Sequence, residues 1–266
     1  MTAELLSTKL YRPDPPEGWI ERTVPFARLE EGNQAPLTLV SAPAGYGKSV
    51  TVAAWLASRE EPSAWLSLDA DDSDAGDFLS YLLAAVRKLF PDACPETEKL
   101  LHVVAPPPVS VLARSLASEL DQIERPFFLV LDDYHALEGR AVHELLSELL
   151  EHPPRALHLV LVTRRDPPLP LASLRARGHL CEVRARELQF GRSESDRFVA
   201  GATGLHLGER PLAHLHDVME GWPVGLRLVS LALSRQQDPA AVDLGPSLES
   251  SDQLIGLAER EDGPAG

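Results

Sequence analysis

One segment of the chain has small residues, a lysine and a serine at the spacing that binds phosphate groups. The segment reads Ala42-Pro43-Ala44-Gly45-Tyr46-Gly47-Lys48-Ser49-Val50. It follows an apolar run and precedes a helix-forming run, so that backbone N–H groups and a helix N-terminus form an anion cradle. Lys48 is placed to reach β- and γ-phosphates, and the Ser49 hydroxyl to ligate Mg²⁺. We therefore predict that every residue from Ala44 to Val50 contacts a bound nucleotide, ATP or ADP with Mg²⁺.

This segment departs from the usual phosphate-loop pattern G-x-x-x-x-G-K-[ST] at one position. Ala42 stands where the first glycine is expected. A methyl group is small enough to allow the turn, but it weakens the match. The alternative is a chance Gly-Lys-Ser at the start of a helix, and the strand before the segment and the helix after it favour the phosphate loop.

An acidic pair follows a second apolar run. Asp132 and Asp133 come directly after the run from Phe127 to Leu131. In open α/β sheets, ligands bind at the carboxyl ends of such strands. We predict that Asp132 holds Mg²⁺ through a water molecule and that Asp133 orients or deprotonates the attacking water. The alternative is an ordinary strand end with solvated acids, which the phosphate loop makes the weaker interpretation.

An arginine pair follows a third apolar run, Leu157–Val162. A basic residue at this strand end is placed to sense the γ-phosphate of ATP. We predict this role for Arg164, with Arg165 as the weaker alternative. A surface arginine pair without a ligand remains open from the residues alone.

Strand-like and helix-like segments alternate along most of the chain. The predicted strands are Leu37–Ser41, Ser63–Leu68, Phe127–Leu131, Leu157–Thr163 and Leu180–Val183. The predicted helices between them are Val50–Ser58, Asp77–Phe90, Val109–Ile123, Ala141–Leu150 and Leu171–Arg177. This alternation predicts an α/β fold of the P-loop NTPase type, with a parallel sheet flanked by helices.

The pattern changes after Phe190. Three amphipathic helices are predicted, Ser193–Gly204, Arg210–Glu220 and Val224–Arg235, and Ser193 with Asp196 is a candidate N-cap. From Gln237 onward the chain is acidic and carries interspersed Pro and Gly, which predicts a mostly disordered tail. We therefore divide the chain into a nucleotide-binding α/β domain (1–190), a helical lid subdomain (191–236) and an acidic tail (237–266).

Composition excludes several classes of protein. The 266 residues are 44% hydrophobic, enough for a sizeable core, and the net charge of −15 argues against a surface that holds nucleic acid. Cys94 and Cys181 lie far apart in no metal-binding pattern, which predicts reduced packing residues. No apolar run is long enough to span a bilayer, and the N-terminus lacks a signal-peptide pattern. We expect a cytoplasmic protein that does not contact a membrane.

Six separated segments together resemble one family. They read TKLYRP, APAGYGKS, FFLVLDDYHAL, TRRDPPLPLASLRARGHL, LQF and EGWPVGL. Their order resembles the nucleotide-binding region of MalT-like regulators, the large ATP-binding members of the LuxR group within the signal-transduction (STAND) P-loop ATPases. The resemblance covers roughly Leu6 to Leu233. It implies a switch in which ADP holds an inactive closed form, and ATP plus an inducer allows oligomerisation and activation of transcription.

The resemblance also adds site residues. Lys48 with Ser49, Asp132 with Asp133, and Arg164 match the family's phosphate-loop pair, acidic pair and sensor arginine. Ile20 and Arg22 match a Val-x-Arg motif that lines the adenine pocket, and Pro223 in Gly221-Trp222-Pro223 matches a Gly-x-Pro motif whose proline packs on the base. From physical chemistry alone, Gly-Trp-Pro predicts only a helix break with a stiff turn.

These features favour a regulatory ATPase module that hydrolyses ATP slowly, with self-association or a regulatory protein as its partner. The alternatives are a small kinase-like P-loop enzyme and a nucleotide-binding interaction protein that does not hydrolyse ATP. Members of the family continue into a winged helix, a helical-repeat sensor and a DNA-binding helix-turn-helix, none of which fits after Gln237. We expect a fragment or a truncated relative that does not bind DNA by itself.

Overall fold

The computed structural model describes residues 5–16, 18–104, 107–204 and 208–234. Structural statements below concern these residues. The predicted acidic tail at 237–266 lies outside them.

A five-stranded parallel sheet forms the centre of the fold. Its strands are β1 (Leu37–Ser41), β2 (Ser63–Ser67), β3 (Phe127–Asp132), β4 (Leu157–Thr163) and β5 (Leu180–Arg184). They lie side by side in the order β2-β3-β4-β1-β5. All residues of β1, β3 and β4 are buried, which explains why these strands read as continuous apolar runs. Since all pairs are parallel, the carboxyl ends of the strands meet at one edge of the sheet.

Helices connect the strands and cover both faces of the sheet. They are α1 (Thr23–Glu31), α2 (Lys48–Ala57), α3 (Ala75–Arg87), α4 (Pro95–Leu101), α5 (Val109–Leu120), α6 (Arg140–Glu151), α7 (Leu171–Ala176) and α8 (Ala185–Leu188). Alternate strand residues point to opposite faces. Leu37 and Leu39 of β1 pack in the larger core with α3, α5 and α6. Val40 packs in the smaller core with α1 and α2.

The amphipathic pattern of α6 shows how a helix is held on the sheet. Val142, Leu145, Leu146 and Leu149 follow the i, i+3, i+4, i+7 spacing and are all buried. The helix therefore has one apolar stripe, which faces the larger core.

Three helices follow the sheet, α9 (Arg192–Thr203), α10 (Glu209–Met219) and α11 (Pro223–Ser234). Their apolar residues form a third cluster that includes Leu215, Leu226 and Val229. Phe190, which we place before the predicted domain boundary, also packs in this cluster. The α/β fold with a parallel sheet and a following helical part confirms the predicted fold class; the division at residue 190 stays a prediction.

Several local predictions differ from the structure. The prediction that Ser193 caps α9 is wrong, because the N-cap is Gly191. The Gly191 N–H donates to the Glu194 carboxylate at 2.8 Å. Three helices were not predicted: α1, α4 and α8. The sequence around them lacks long apolar periodicity, and α4 and α8 span only seven and four residues.

The two cysteines are both buried and unpaired. Burial raises the pKa of the Cys94 thiol to about 12, which makes it an unreactive packing residue. Within the described ranges, no helix combines the length and the apolar character required to cross a bilayer.

Candidate functional site

The phosphate loop connects the end of β1 to the start of α2. Gly45 and Gly47 have φ angles of +80° and +71°, the left-handed region that favours glycine. Gly47 is the N-cap of α2, and Lys48 is its first residue. A glycine-rich loop that leads from a strand into a helix N-terminus is the arrangement that binds phosphate groups in proteins, and binding of phosphate by this loop stays a prediction.

Ala42 does not disturb this loop. The non-glycine residues with positive φ in the described part of the chain are Cys94, Asp133 and Glu220, so Ala42 has an ordinary backbone conformation. It is buried, and its N–H donates to the carbonyl of Thr163 in β4 at 3.3 Å. The first position of the loop therefore does not require a glycine here.

Lys48 lies within the loop. Its side chain is buried, and its Nζ donates to the carbonyl of Pro43 at 2.9 Å. An ammonium group held over a phosphate loop is placed to bind phosphate oxygens as a point charge.

The Ser49 hydroxyl and the Asp132 carboxylate meet beside the loop. Ser49 Oγ donates to Asp132 Oδ1 at 2.8 Å, and the same oxygen accepts the Asp133 N–H at 3.0 Å. Asp132 is only 5% exposed. Burial, and next the charge of Asp133, raise the pKa of Asp132 to about 6.

This pair fits Mg²⁺. Hydroxyl and carboxylate oxygens are the ligands that Mg²⁺ uses in nucleotide sites. Burial leaves the Asp132 carboxylate poorly solvated, which raises its pKa, and a bound cation would stabilise its charged form.

Asp133 occupies an unusual backbone position at the end of β3. Its φ of +54° is uncommon for a residue other than glycine, and its side chain is about half exposed. Asp133 Oδ1 lies 3.9 Å from Nδ1 of His135. The carboxylate is therefore turned out of the sheet and accessible to water.

His135 was not predicted as a site residue. Burial lowers the pKa of its imidazole; the charge of Asp133 opposes this, and the charges of Arg164, Lys48 and Arg165 add to it. The contacts of His135 with Asp133 and Arg165 place it among the predicted site residues. Its Nδ1 is buried without a hydrogen-bond partner. The sequence signal is its position two residues after the acidic pair, which does not by itself show where the ring lies.

The predicted arginine pair lies at the same edge of the sheet. Arg165 Nη2 donates to the carbonyl of His135 at 3.3 Å, and Thr163 Oγ1 donates to the carbonyl of Arg165 at 2.8 Å. Arg164 is exposed and close enough to His135 to affect its pKa. A cleft of about 690 Å³ opens beside the pair, lined in part by Arg165 and His135.

The helical part docks directly on the phosphate loop. Trp222 Nε1 donates to the carbonyl of Ala44 at 3.2 Å, and the Val224 N–H donates to the carbonyl of Gly45 at 3.2 Å. A Cβ atom on Gly45 would lie 2.8 Å from Trp222 Nε1, so this glycine is also required for the close approach. Pro223 lies between the two donors, at the start of α11.

Arg22 and Ile20 lie at the junction between the sheet and the helical part. Arg22 is 1% exposed, and its Nη2 donates to the carbonyls of Leu188 and Gln189 at 2.6 and 3.0 Å. Its Nε lies 3.4 Å from Glu194 of α9. Ile20 packs on the helical cluster. The guanidinium is thus engaged by protein groups, and direct contact of Arg22 or Ile20 with adenine stays a prediction.

Residues 24–162 match the family model of the AAA ATPase domain. The chain is also similar to curated transcription regulators. It is 33% identical to the HTH-type transcriptional regulator MalT of Yersinia enterocolitica and 34% identical to that of Serratia proteamaculans, in each case over 95% of this chain and 27% of the relative. The chain thus spans about a quarter of the length of these relatives, and the predicted resemblance is confirmed.

Solved structures with the same fold include two archaeal ATPases. One is a Walker-type ATPase of Pyrococcus abyssi, with a TM-score of 0.59, 18% identity, and coverage of 94% of this chain and 77% of that chain. The other is a STAND protein of Pyrococcus horikoshii with a tetratricopeptide repeat sensor, with a TM-score of 0.59, 13% identity, and coverage of 94% and 34%. At these identities the likeness concerns the fold.

Proposed function

We propose that this chain, which belongs to the AAA ATPase domain family, is a nucleotide-operated switch module of a transcription regulator. It binds ATP or ADP at the phosphate loop and hydrolyses ATP slowly. Bound ADP holds the helical part against the α/β core. The identity of 33–34% to MalT regulators over nearly the whole chain supports this proposal.

We propose the following roles for the site residues. Residues 44–50 surround the phosphates with backbone N–H groups, and Lys48 adds a charge on the β- and γ-phosphates. Ser49 and Asp132 hold Mg²⁺, which neutralises phosphate charge when bound. Asp133 orients the attacking water or accepts its proton, and Arg164 contacts the γ-phosphate.

The observation that carries the proposal is the docking of the helical part on the loop itself. Trp222 and Val224 donate to the carbonyls of Ala44 and Gly45, two residues of the loop that we propose binds the phosphates. A ligand shifts a conformational equilibrium only through different affinity for the two states. Because the loop is shared by the nucleotide and the helical part, nucleotide binding and helical docking are energetically coupled.

A proline substitution tests this coupling. We expect Pro223→Ala to weaken ADP binding by about three- to tenfold, roughly 1 kcal/mol of lost contact and fixed turn geometry. The substitution should also expose the junction at Gly191–Ser195 to protease while the α/β core stays folded. Calorimetric ADP titration and limited proteolysis measure the two effects.

Pro211→Ala is the matched control, because Pro211 lies in the first turn of α10 and not beside the phosphate loop. It should change neither ADP affinity nor cleavage. Unchanged affinity and unchanged cleavage in Pro223→Ala would show that the helical part does not hold the nucleotide.

We also propose that this chain alone does not bind DNA specifically, and that its partners are nucleotide, further copies of itself or a regulatory protein. Its net charge of −15 repels phosphate backbones. In filter-binding assays at moderate salt we expect no sequence-selective retention of duplex DNA by the 266-residue chain. Selective retention that persists against competitor DNA would contradict this expectation.

A further inference from the structure

We infer that Asp166 is a positioning residue, which holds the turn carrying Arg164 and Arg165 to the ends of β1 and β5. The inference rests on the proposed function, since it assigns a support to the residue that we propose as the γ-phosphate sensor. It extends that function to a residue outside the phosphate loop and the acidic pair.

The Asp166 carboxylate accepts hydrogen bonds from two strands that are distant in sequence. Ser41 Oγ, at the end of β1, donates to Asp166 Oδ1 at 3.3 Å. Arg184, at the end of β5, donates through Nη1 to Oδ1 and through Nη2 to Oδ2, the latter at 3.1 Å. A two-pronged arginine–carboxylate pair fixes direction as well as distance.

The arginine of this pair is itself held in place. Arg184 also donates to Glu182, and Glu182 accepts two hydrogen bonds from Arg175 at 2.6 and 2.9 Å. These arginines lower the pKa of Glu182 to about 2, and the hydrogen bonds from Arg184 hold the pKa of Asp166 below its usual range. The network is therefore fully charged at neutral pH.

The turn has no regular secondary structure of its own, so its position depends on such contacts. Arg164 and Arg165 lie between Thr163, the last residue of β4, and Asp166. Arg165 additionally contacts the segment after β3 through the carbonyl of His135. At the other end of the turn, Asp166 accepts a hydrogen bond from Ser41, the residue directly before the phosphate loop.

Loss of the hydrogen bonds that Asp166 accepts should weaken the binding of ATP more than the binding of ADP. A γ-phosphate is present only in ATP, whereas the loop binds the other phosphates of both nucleotides. We expect Asp166→Asn to lower the ratio of ATP to ADP affinity by about three- to tenfold, with ADP affinity changed by less than twofold. A residue that only supported overall stability would change both affinities together.

The experiment measures the affinities of ADP and of a non-hydrolysable ATP analogue by calorimetry for five proteins. They are the wild type, Asp166→Asn, Arg184→Gln, Asp121→Asn and Arg164→Ala. Arg184→Gln removes the other half of the pair and should reproduce Asp166→Asn, including in the case that Asp166→Asn fails to fold. Asp121→Asn is the matched control, because Asp121 also accepts two hydrogen bonds from one arginine, Arg155, at 3.2 and 3.3 Å, but takes no part in the network around Arg184.

We expect a lowered ratio of ATP to ADP affinity in Asp166→Asn and Arg184→Gln and an unchanged ratio in Asp121→Asn. A lowered ratio of ATP to ADP affinity in Arg164→Ala, together with an unchanged ratio in Asp166→Asn, would overturn the inference and leave the proposed function intact. An equal effect of Asp121→Asn also overturns the inference, since the loss of any aspartate–arginine pair would then lower the ratio. An unchanged ratio in Arg164→Ala overturns the sensor role together with the inference.

Discussion

Lys48→Ala should reduce affinity for ADP and ATP by at least about 100-fold, near 3 kcal/mol. Lys48 is the charged side chain within the phosphate loop, where its Nζ already lies 2.9 Å from the carbonyl of Pro43. Backbone N–H groups carry only partial charges and cannot replace a full positive charge on the phosphates. Calorimetric titration with each nucleotide measures the loss.

Lys88→Ala is the control for this result. The Lys88 ammonium also donates to a backbone carbonyl, that of Leu10 at 2.7 Å, but it lies on α3's C-terminal end and not in the loop. We expect wild-type affinity in Lys88→Ala. Equal ADP affinity in wild type and Lys48→Ala would refute the assignment of the phosphate loop.

Asp133→Asn should separate chemistry from binding. We expect kcat for ATP hydrolysis to fall by at least about 100-fold, the range attributed to a positioned general base, while ADP affinity changes by less than about threefold. The carboxylate is half exposed and separate from the Ser49–Asp132 pair, so its loss leaves the loop intact.

The substitution is also compatible with the backbone at this position. Asp133 has a φ of +54°, and asparagine tolerates this left-handed region at least as well as aspartate. Asp92→Asn, at an exposed position in the connection before α4, controls for a general loss of negative charge. Hydrolysis at the wild-type rate in Asp133→Asn would exclude a catalytic role for this carboxylate.

The parts of the site that are contiguous in sequence could be predicted from it. The phosphate loop is such a part, because the spacing of Gly47, Lys48 and Ser49 determines both the turn and the helix that follows it. The strands β1, β3 and β4 are buried on both faces, so they are apolar runs that can be recognised in the sequence.

Contacts between distant segments could not be predicted in this way. Trp222 and Ala44 are 178 residues apart, and nothing local to either residue shows that an indole N–H meets a loop carbonyl. The resemblance predicts that Arg22 lines the adenine pocket, but it does not show that the carbonyls of Leu188 and Gln189 and the ring of Phe190 enclose the Arg22 guanidinium. Its burial depends on how the helical part is placed.

Helix ends were also hard to predict, for a local reason. Ser193 is a favoured capping residue, yet the chain begins α9 two residues earlier because Glu194 can reach back to the Gly191 N–H.

The central claim is that nucleotide holds the helical part on the phosphate loop, and hydrogen exchange of α9 and α11 with and without ADP tests it most directly. We expect saturating ADP with Mg²⁺ to slow exchange across both helices in the wild type and to have no effect in Lys48→Ala. Exchange in these helices that is identical with and without ADP, in a wild-type sample shown by calorimetry to be saturated, would contradict the claim.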